Sequence, residues 1–239
     1  WRSGIKHDAT KVMELTKDDE NYKNGFGEPV KIDIEYIYPL LKSSDLGNNR
    51  LVPRKYVIVT QKKVEDDTNV IKTKSPKTWA YLEKYSSILD SRKSIVYKKR
   101  SRFSVFGIGD YSFTSWKVAI SGLYKNIHFC AIGQLDGKPI MVDDTCYFIP
   151  CSSRDEALFI AQQLNSEACL KFLKSLIFFD AKRPINIDIL RRIDFKKLSE
   201  INGKLHEVLK YLSYSQASFT QQVPLIFEKN EEYRKNRLP

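Results

Sequence analysis

The chain has 239 residues, with 42% apolar and 29% charged residues, 10 Gly, 9 Pro and 4 Cys. That composition is globular and excludes disordered, collagenous and disulfide-framework classes. Lys and Arg number 40 against 29 Asp and Glu, and the net charge of +11 points to an anionic partner: nucleic acid, an acidic membrane surface or an acidic protein.

Residues 1–28 are polar, and Gly4-Ile5-Lys6-His7-Asp8 and Asn24-Gly25-Phe26-Gly27 read as turns. Val30–Ile34 alternates and reads as a short strand; Glu35–Leu41 then leads past Pro39 into Lys42-Ser43-Ser44-Asp45. Tyr56–Thr60, β-branched and aromatic, reads as another strand. Ser75-Pro76 is a Ser cap with Pro in the first turn, and the spacing of Trp79, Leu82, Tyr85 and Leu89 predicts a helix over 76–89. Phe103–Phe106, Trp116–Ser121, His128–Ile132 and Ile140–Ile149 read as a meander of strands punctuated by glycines. Ser153-Arg154-Asp155-Glu156 is a capping box that opens a helix to Leu164, and a second helix follows from Glu167 to about Phe178. Glu200–Tyr211 and the charged Phe227–Leu238 are further helical segments.

The pattern predicts an α+β fold: a mixed, twisted sheet core with meander-like strands over about 103–149, packed helices and a helical C-terminal tail. Residues 1–198 form the main body and 199–239 a helical extension. No apolar run approaches the ~18 residues of a membrane-spanning helix. The start at Trp1, with no apolar signal core, leads to the expectation of a piece of a longer chain. Cys130, Cys146, Cys151 and Cys169 are sparse and irregular, which fits reduced core thiols in a cytosolic protein better than a zinc site.

Three kinds of enzyme leave different traces. A nucleotide loop at Gly107-Ile108-Gly109 lacks a third glycine and a periodic helix behind it. The pairs Asp66-Asp67 and Asp143-Asp144 can be ligands of a metal-dependent nuclease, or solvated turns and strand ends; no Glu-x-Lys completes a nuclease cluster. Hydrolysis by a nucleophile finds no Gly-x-Ser-x-Gly.

The densest signal is Arg92–Phe103, with six basic residues (Arg92, Lys93, Lys98, Lys99, Arg100, Arg102) and no acidic one. Lys and Arg neutralise phosphates, and the aromatics that follow (Phe103, Phe106, Tyr111, Phe113, Trp116, beside Lys117) can stack on bases. The same stretch can also be a solvated charged face that leads into a core strand. Lys42-Ser43, Arg54-Lys55, Lys62-Lys63, Lys74 with Lys77, and Lys182-Arg183 are further phosphate-contact candidates.

Tyr38–Leu46, Leu89–Lys93, Phe106–Phe113, Trp116–Ser121, Asp144–Ile149, Leu164-Asn165-Ser166 and Lys182–Ile185 follow in a characteristic order and spacing. Together they resemble the TaqI-like C-terminal specificity domain, the target-recognition domain of type II restriction-modification N6-adenine DNA methyltransferases. The resemblance spans about residues 30–195. In that family the domain follows a catalytic domain that binds S-adenosylmethionine and flips the target adenine. This chain has neither the Asn-Pro-Pro-Tyr motif nor the cofactor-binding glycine loop. The resemblance therefore implies a recognition half that grips and reads double-stranded DNA and has no catalytic residue, metal or cofactor of its own. S-adenosylmethionine and the chemistry belong to an N-terminal methyltransferase domain of the same parent chain, in a prokaryotic cytoplasm. Carried over, Arg92, Lys93, Arg100 and Arg102 approach phosphates or bases, and Tyr111 and Lys117 face the DNA. Two other classes stay open: a nuclease around Asp143 and Asp144, and a protein-interaction module that uses the helix from Phe227 onward.

Overall fold

The computed structural model describes residues 1–19, 21–209 and 211. They fall into two compact units that divide between Ile193 and Asp194. The first has an α+β fold, as the sequence pattern predicts.

Its chain begins with β1 (Arg2–Ser3), a helical turn α1 (Thr10–Met13), β2 (Glu14–Asp18), β3 (Asn21–Lys23) and β4 (Pro29–Val30). β5 (Ile37–Leu41), α2 (Ser43–Gly47) and β6 (Lys55–Ile58) follow, then α3 (Ile71–Lys74), α4 (Pro76–Lys84) and α5 (Ser86–Asp90). Beyond them lie β7 (Trp116–Ser121), β8 (Cys130–Ile132), β9 (Gln134–Leu135), β10 (Lys138–Pro139), β11 (Met141–Val142) and β12 (Cys146–Cys151). Three helices close the unit: α6 (Arg154–Leu164), α7 (Glu167–Leu176) and α8 (Ile187–Leu190).

The strands make a six-stranded sheet in the order β11-β5-β6-β2-β3-β4, a four-stranded sheet β1-β12-β7-β8 and a small β9-β10 ribbon. All pairings are antiparallel except β11 with β5. The expected single meander over 103–149 is thus divided: β7, β8 and β12 belong to one sheet and β11 to the other. Phe103–Phe106 is not a strand. Phe103 has φ +67°, a conformation no strand residue adopts, and only an isolated bridge joins Phe106 to Lys6. Phe103 instead turns inward against Trp79, with ring centroids 5.1 Å apart.

Residues 1–28 hold more regular structure than their polarity suggests. β2 buries Glu14 and Leu15 and leaves Lys17 and Asp18 to solvent. The strand expected over 30–34 shortens to β4 and a 3₁₀ turn at Ile34–Tyr36. Pro39 sits inside β5. The helix expected over 76–89 breaks at Tyr85 (φ −105°, ψ 20°), whose hydroxyl accepts from Asn24 Nδ2 at 2.8 Å and donates to Glu28. Ser75 does not cap α4; its hydroxyl donates to Asp33.

α6 forms as expected and packs on β7 and β8. Ser153 Oγ accepts from the Glu156 amide at 3.1 Å, while Glu156 reaches back one residue further than the motif requires, to the Ser152 amide at 2.5 Å. The four cysteines are free and buried, and burial pushes every thiol up, Cys130 and Cys169 to about 11 and Cys151 to about 12.

Gly4 and Gly107 let the N-terminal segment run between the sheets. A Cβ on Gly4 would lie 2.2 Å from the Asp143 carbonyl oxygen, and one on Gly107 (φ +66°) 2.0 Å from that of Gly4. Gly107-Ile108-Gly109 is therefore a packing device, followed by a short 3₁₀ turn at Asp110–Phe113.

The second unit opens with α9 (Phe195–Ile201), capped by Asp194, whose side chain accepts from the Lys197 amide at 3.0 Å. The helix expected over Phe227–Leu238, and most of the 199–239 extension, lie outside the described residues.

Lys117 on β7 is 1% exposed, and its ammonium group donates to the Thr114 carbonyl at 2.8 Å and lies 5.9 Å from the Phe148 ring. Burial pushes its pKa down to about 7. Below that pH both the folded and the unfolded chain carry the proton, and folding bears the full cost of burying it. As pH rises from about 7 toward 10.5 the unfolded chain holds the proton longer, so stability climbs across that window. Lys117→Met is expected to raise the melting temperature at pH 6 and to flatten its rise between pH 7 and 10. Thermal melts of both proteins over that range check this.

Candidate nucleic-acid interface

The basic segment 92–102 leaves α5 and makes a 3₁₀ turn at Ile95–Tyr97. Its first residue is an anchor. Arg92 is 9% exposed and donates to the carbonyls of Leu89 (2.7 Å), Ser104 (2.7 Å) and His7 (3.2 Å). Its guanidinium lies 3.8 Å from the centre of the Tyr97 ring, and Tyr97 meets Phe106 edge-on at 5.4 Å. Arg92, expected to approach phosphates or bases, is instead committed to three carbonyls and a ring inside the fold.

The rest of the segment divides in two. Arg102 makes a forked contact with Asp90, from 2.7 to 3.2 Å, and reaches Glu83 at 3.3 Å. Arg100 faces Glu65 at 3.7 Å. Lys93, Lys98 and Lys99 are exposed and have no side-chain partner among the described residues.

Contacts across the loops tie this segment to a second basic turn. Besides Arg100–Glu65, Ser101 Oγ donates to Asp67 at 2.6 Å and Thr68 Oγ1 to the Arg102 carbonyl. The Asp66 carboxylate accepts from the Lys62 and Lys63 amides at 3.1 and 2.8 Å, which fixes the turn that carries those two lysines. Lys62 is exposed and unpaired among the described residues; Lys63 stands 3.5 Å from Asp110. Lys62 also borders a cleft of about 540 Å³ lined by Tyr36, Tyr38 and Phe113, but Glu35, Asp66 and Asp67 at the same cleft oppose a phosphate there.

A mixed-charge cluster lies beside Tyr97. Lys6 meets Asp8 at 2.6 Å and Asp144 at 3.8 Å, and Arg183 meets Asp144 at 3.7 Å. Lys42 is held between Glu14 (2.5 Å) and Asp143 (3.0 Å), and His7 Nε2 lies 3.4 Å from Glu14. Burial opposes the Glu14 charge, yet His7 and Lys42 hold its pKa below the usual range. Burial likewise opposes the Asp143 charge, but hydrogen bonds from Thr145, and the nearby Lys42 ammonium, hold its pKa low. Asp144 is shifted upward by burial and by Asp143 beside it, against Lys6 and Arg183. The acidic pairs thus serve turns and ion pairs; among the described residues no group of three His, Cys, Asp or Glu is placed to hold a metal ion.

Three further candidates are revised. Ser43 is buried, its hydroxyl 2.5 Å from that of Ser121. Lys117 is interior. Tyr111 packs on Phe148 at 6.0 Å with Arg2 over its face at 4.6 Å. Lys182 is exposed and unpaired among the described residues. The predicted cations therefore separate into structural members (Arg92, Lys117, Lys42), ion-paired ones (Arg100, Arg102, Lys63, Arg183) and free ones (Lys62, Lys93, Lys98, Lys99, Lys182). The acidic partners Glu65, Glu83 and Asp90 escape sequence inspection, because they meet their arginines across loops rather than at helical spacing.

Comparison with known proteins gives this surface a context. The chain is 45% identical over 202 residues to the Type II methyltransferase M.NspV of Nostoc sp. (strain PCC 7524). It is homologous to part of that enzyme: the match takes in 84% of this chain and 42% of the methyltransferase. No family model matches the chain. A solved structure of the Type IIL restriction-modification enzyme MmeI in complex with DNA is similar at a TM-score of 0.39 and 14% identity, over 64% of this chain and 19% of that one. That likeness is too slight to define fold or function. Among the described residues no helix is long and apolar enough to cross a membrane.

Arg92→Ala leaves three carbonyls without their donor and is expected to cost about 3 kcal/mol of stability, with Arg92→Lys recovering only part. Denaturant melts of the wild type and the two variants check this.

Proposed function

We propose that residues 1–193 are a double-stranded DNA recognition module of a restriction-modification adenine methyltransferase. The observation that carries this reading is the 45% identity to a Type II methyltransferase, over a segment that spans only 42% of that enzyme. The motif-level resemblance to target-recognition domains over about 30–195 agrees with it, and the chain has no Asn-Pro-Pro-Tyr. In this proposal S-adenosylmethionine and methyl transfer belong to a separate catalytic domain, which handles the flipped adenine.

The division among the cations sharpens the proposal. Lys62, Lys93, Lys98 and Lys99 lie on two loops joined through Glu65–Arg100 and Asp67–Ser101, and their ammonium groups are free to take phosphates. Arg100 and Arg102 already hold carboxylates, so a phosphate must compete for them; Arg102, forked onto Asp90, holds harder. Backbone grip then comes from lysines, and base readout from side chains that phosphate contacts bring into register.

Titration of a fluorescent duplex at a series of salt concentrations tests this. The wild-type chain should lose affinity steeply with salt, since each neutralised phosphate contributes about 0.9 to the logarithmic slope. The double substitution Lys98→Glu and Lys99→Glu should weaken binding at least roughly tenfold and reduce the slope by about 1.8. Absent or salt-insensitive binding overturns the proposal.

A further inference from the structure

One apolar side chain stands out on the basic loop. Ile95 is 72% exposed, at the head of the 3₁₀ turn Ile95–Tyr97. Single exposed apolar side chains are common on protein surfaces; what sets Ile95 apart is how its backbone is held and what surrounds it. Two residues on, Tyr97 is clamped between the Arg92 guanidinium and Phe106, and Arg92 is bound to the body through Leu89, Ser104 and His7. The turn is rigid at its base and carries Ile95 at its tip.

The charge around Ile95 decides what it can meet. Lys93 lies two residues before it, Lys98 and Lys99 three and four after, all exposed and without a side-chain partner among the described residues. No acidic residue occurs between Asp90 and Arg102. Ile34, 57% exposed, stands between Asp33 and Glu35, and Phe178, 84% exposed, is followed by Asp180. Val52, 73% exposed, lies between Arg50 and Arg54, but both arginines already hold Asp45. A protein surface that matches Ile95 would have to be apolar at its centre and strongly acidic around it. Duplex DNA is built that way: stacked bases inside, one phosphate per strand about every 3.4 Å outside.

We propose that Ile95 is a wedge that enters between adjacent base pairs while Lys93, Lys98 and Lys99 hold the flanking phosphates. The proposal rests on the DNA-binding reading above and adds a deformation to it: an inserted aliphatic side chain unstacks a step and unwinds the duplex. No covalent step is involved.

The test uses a closed-circular plasmid relaxed by a topoisomerase in the presence of the chain, read as the topoisomer distribution, alongside filter binding of the same plasmid against salt. Wild type should shift the distribution toward unwinding. Ile95→Ala should abolish the shift, lower affinity only about fivefold and keep the salt slope, because the lysines remain. Ile95→Phe, which retains a wedge, should restore the shift, and Ile34→Ala should behave as wild type. Thermal melts confirm that these exposed-site variants are folded. A shift that survives Ile95→Ala, or plasmid binding by wild type with no shift, overturns the wedge and leaves the DNA-binding reading intact. No plasmid binding at any salt concentration overturns both.

Discussion

The architecture depends on one constraint: the first eight residues run between the two larger sheets and bond to both. β1 pairs with β12 in the four-stranded sheet. Two residues later the Ile5 amide donates to Val142 at 2.7 Å, beside the β11–β5 pair of the six-stranded sheet, and Lys6 exchanges backbone hydrogen bonds with Phe106. The turn from Val142 to Cys146 passes from one sheet to the other at the same place, with the Gly4 amide donating to the Cys146 carbonyl at 3.0 Å. So close an approach of three backbones tolerates no side chain, which is why Gly4 and Gly107 stand there. Arg92 completes the junction by joining the His7 and Ser104 carbonyls.

The basic surface is built outward from that junction. The guanidinium that secures the N-terminal segment also carries the Tyr97 ring, and Tyr97 fixes the turn between Lys93 and Lys98. The basic turn and the N-terminal junction therefore share one residue. The 40 Lys and Arg overstate what is available to a ligand. At this face Lys63, Arg100 and Arg102 are already matched by carboxylates, while Lys62, Lys93, Lys98 and Lys99 have no side-chain partner among the described residues.

Features set by local chemistry were legible in the sequence. Ser153 capping α6, the strand Trp116–Ser121 and the buried thiols follow from residue type and near-neighbour spacing, and the structure has each of them. Features set by distant partners were not. Glu14 in β2 looks like a surface residue until His7 and Lys42 are brought to it, so the early strands were hidden in a polar stretch. Phe103–Phe106 has the composition of a strand, but packing against Trp79 and a left-handed φ at Phe103 turn the chain instead. Arg92, Ser43 and Lys117 carry the same chemistry as surface residues; only tertiary placement makes them interior. At the candidate interface the sequence located the loop and its charge, but not which cations are free, because that depends on acids distant in sequence, as Glu65 is from Arg100 and Asp110 from Lys63.

The cysteines are distributed unevenly with respect to this architecture. Cys130 lies on β8, Cys146 and Cys151 bound β12, and Cys169 lies on α7, which packs against α6 over the same sheet; the six-stranded sheet has none. An alkylating reagent can therefore reach a sulfur only when the four-stranded sheet, or the core it shares with Leu41 and Val142, opens. Modification followed residue by residue would time that opening, with no label or mutation introduced.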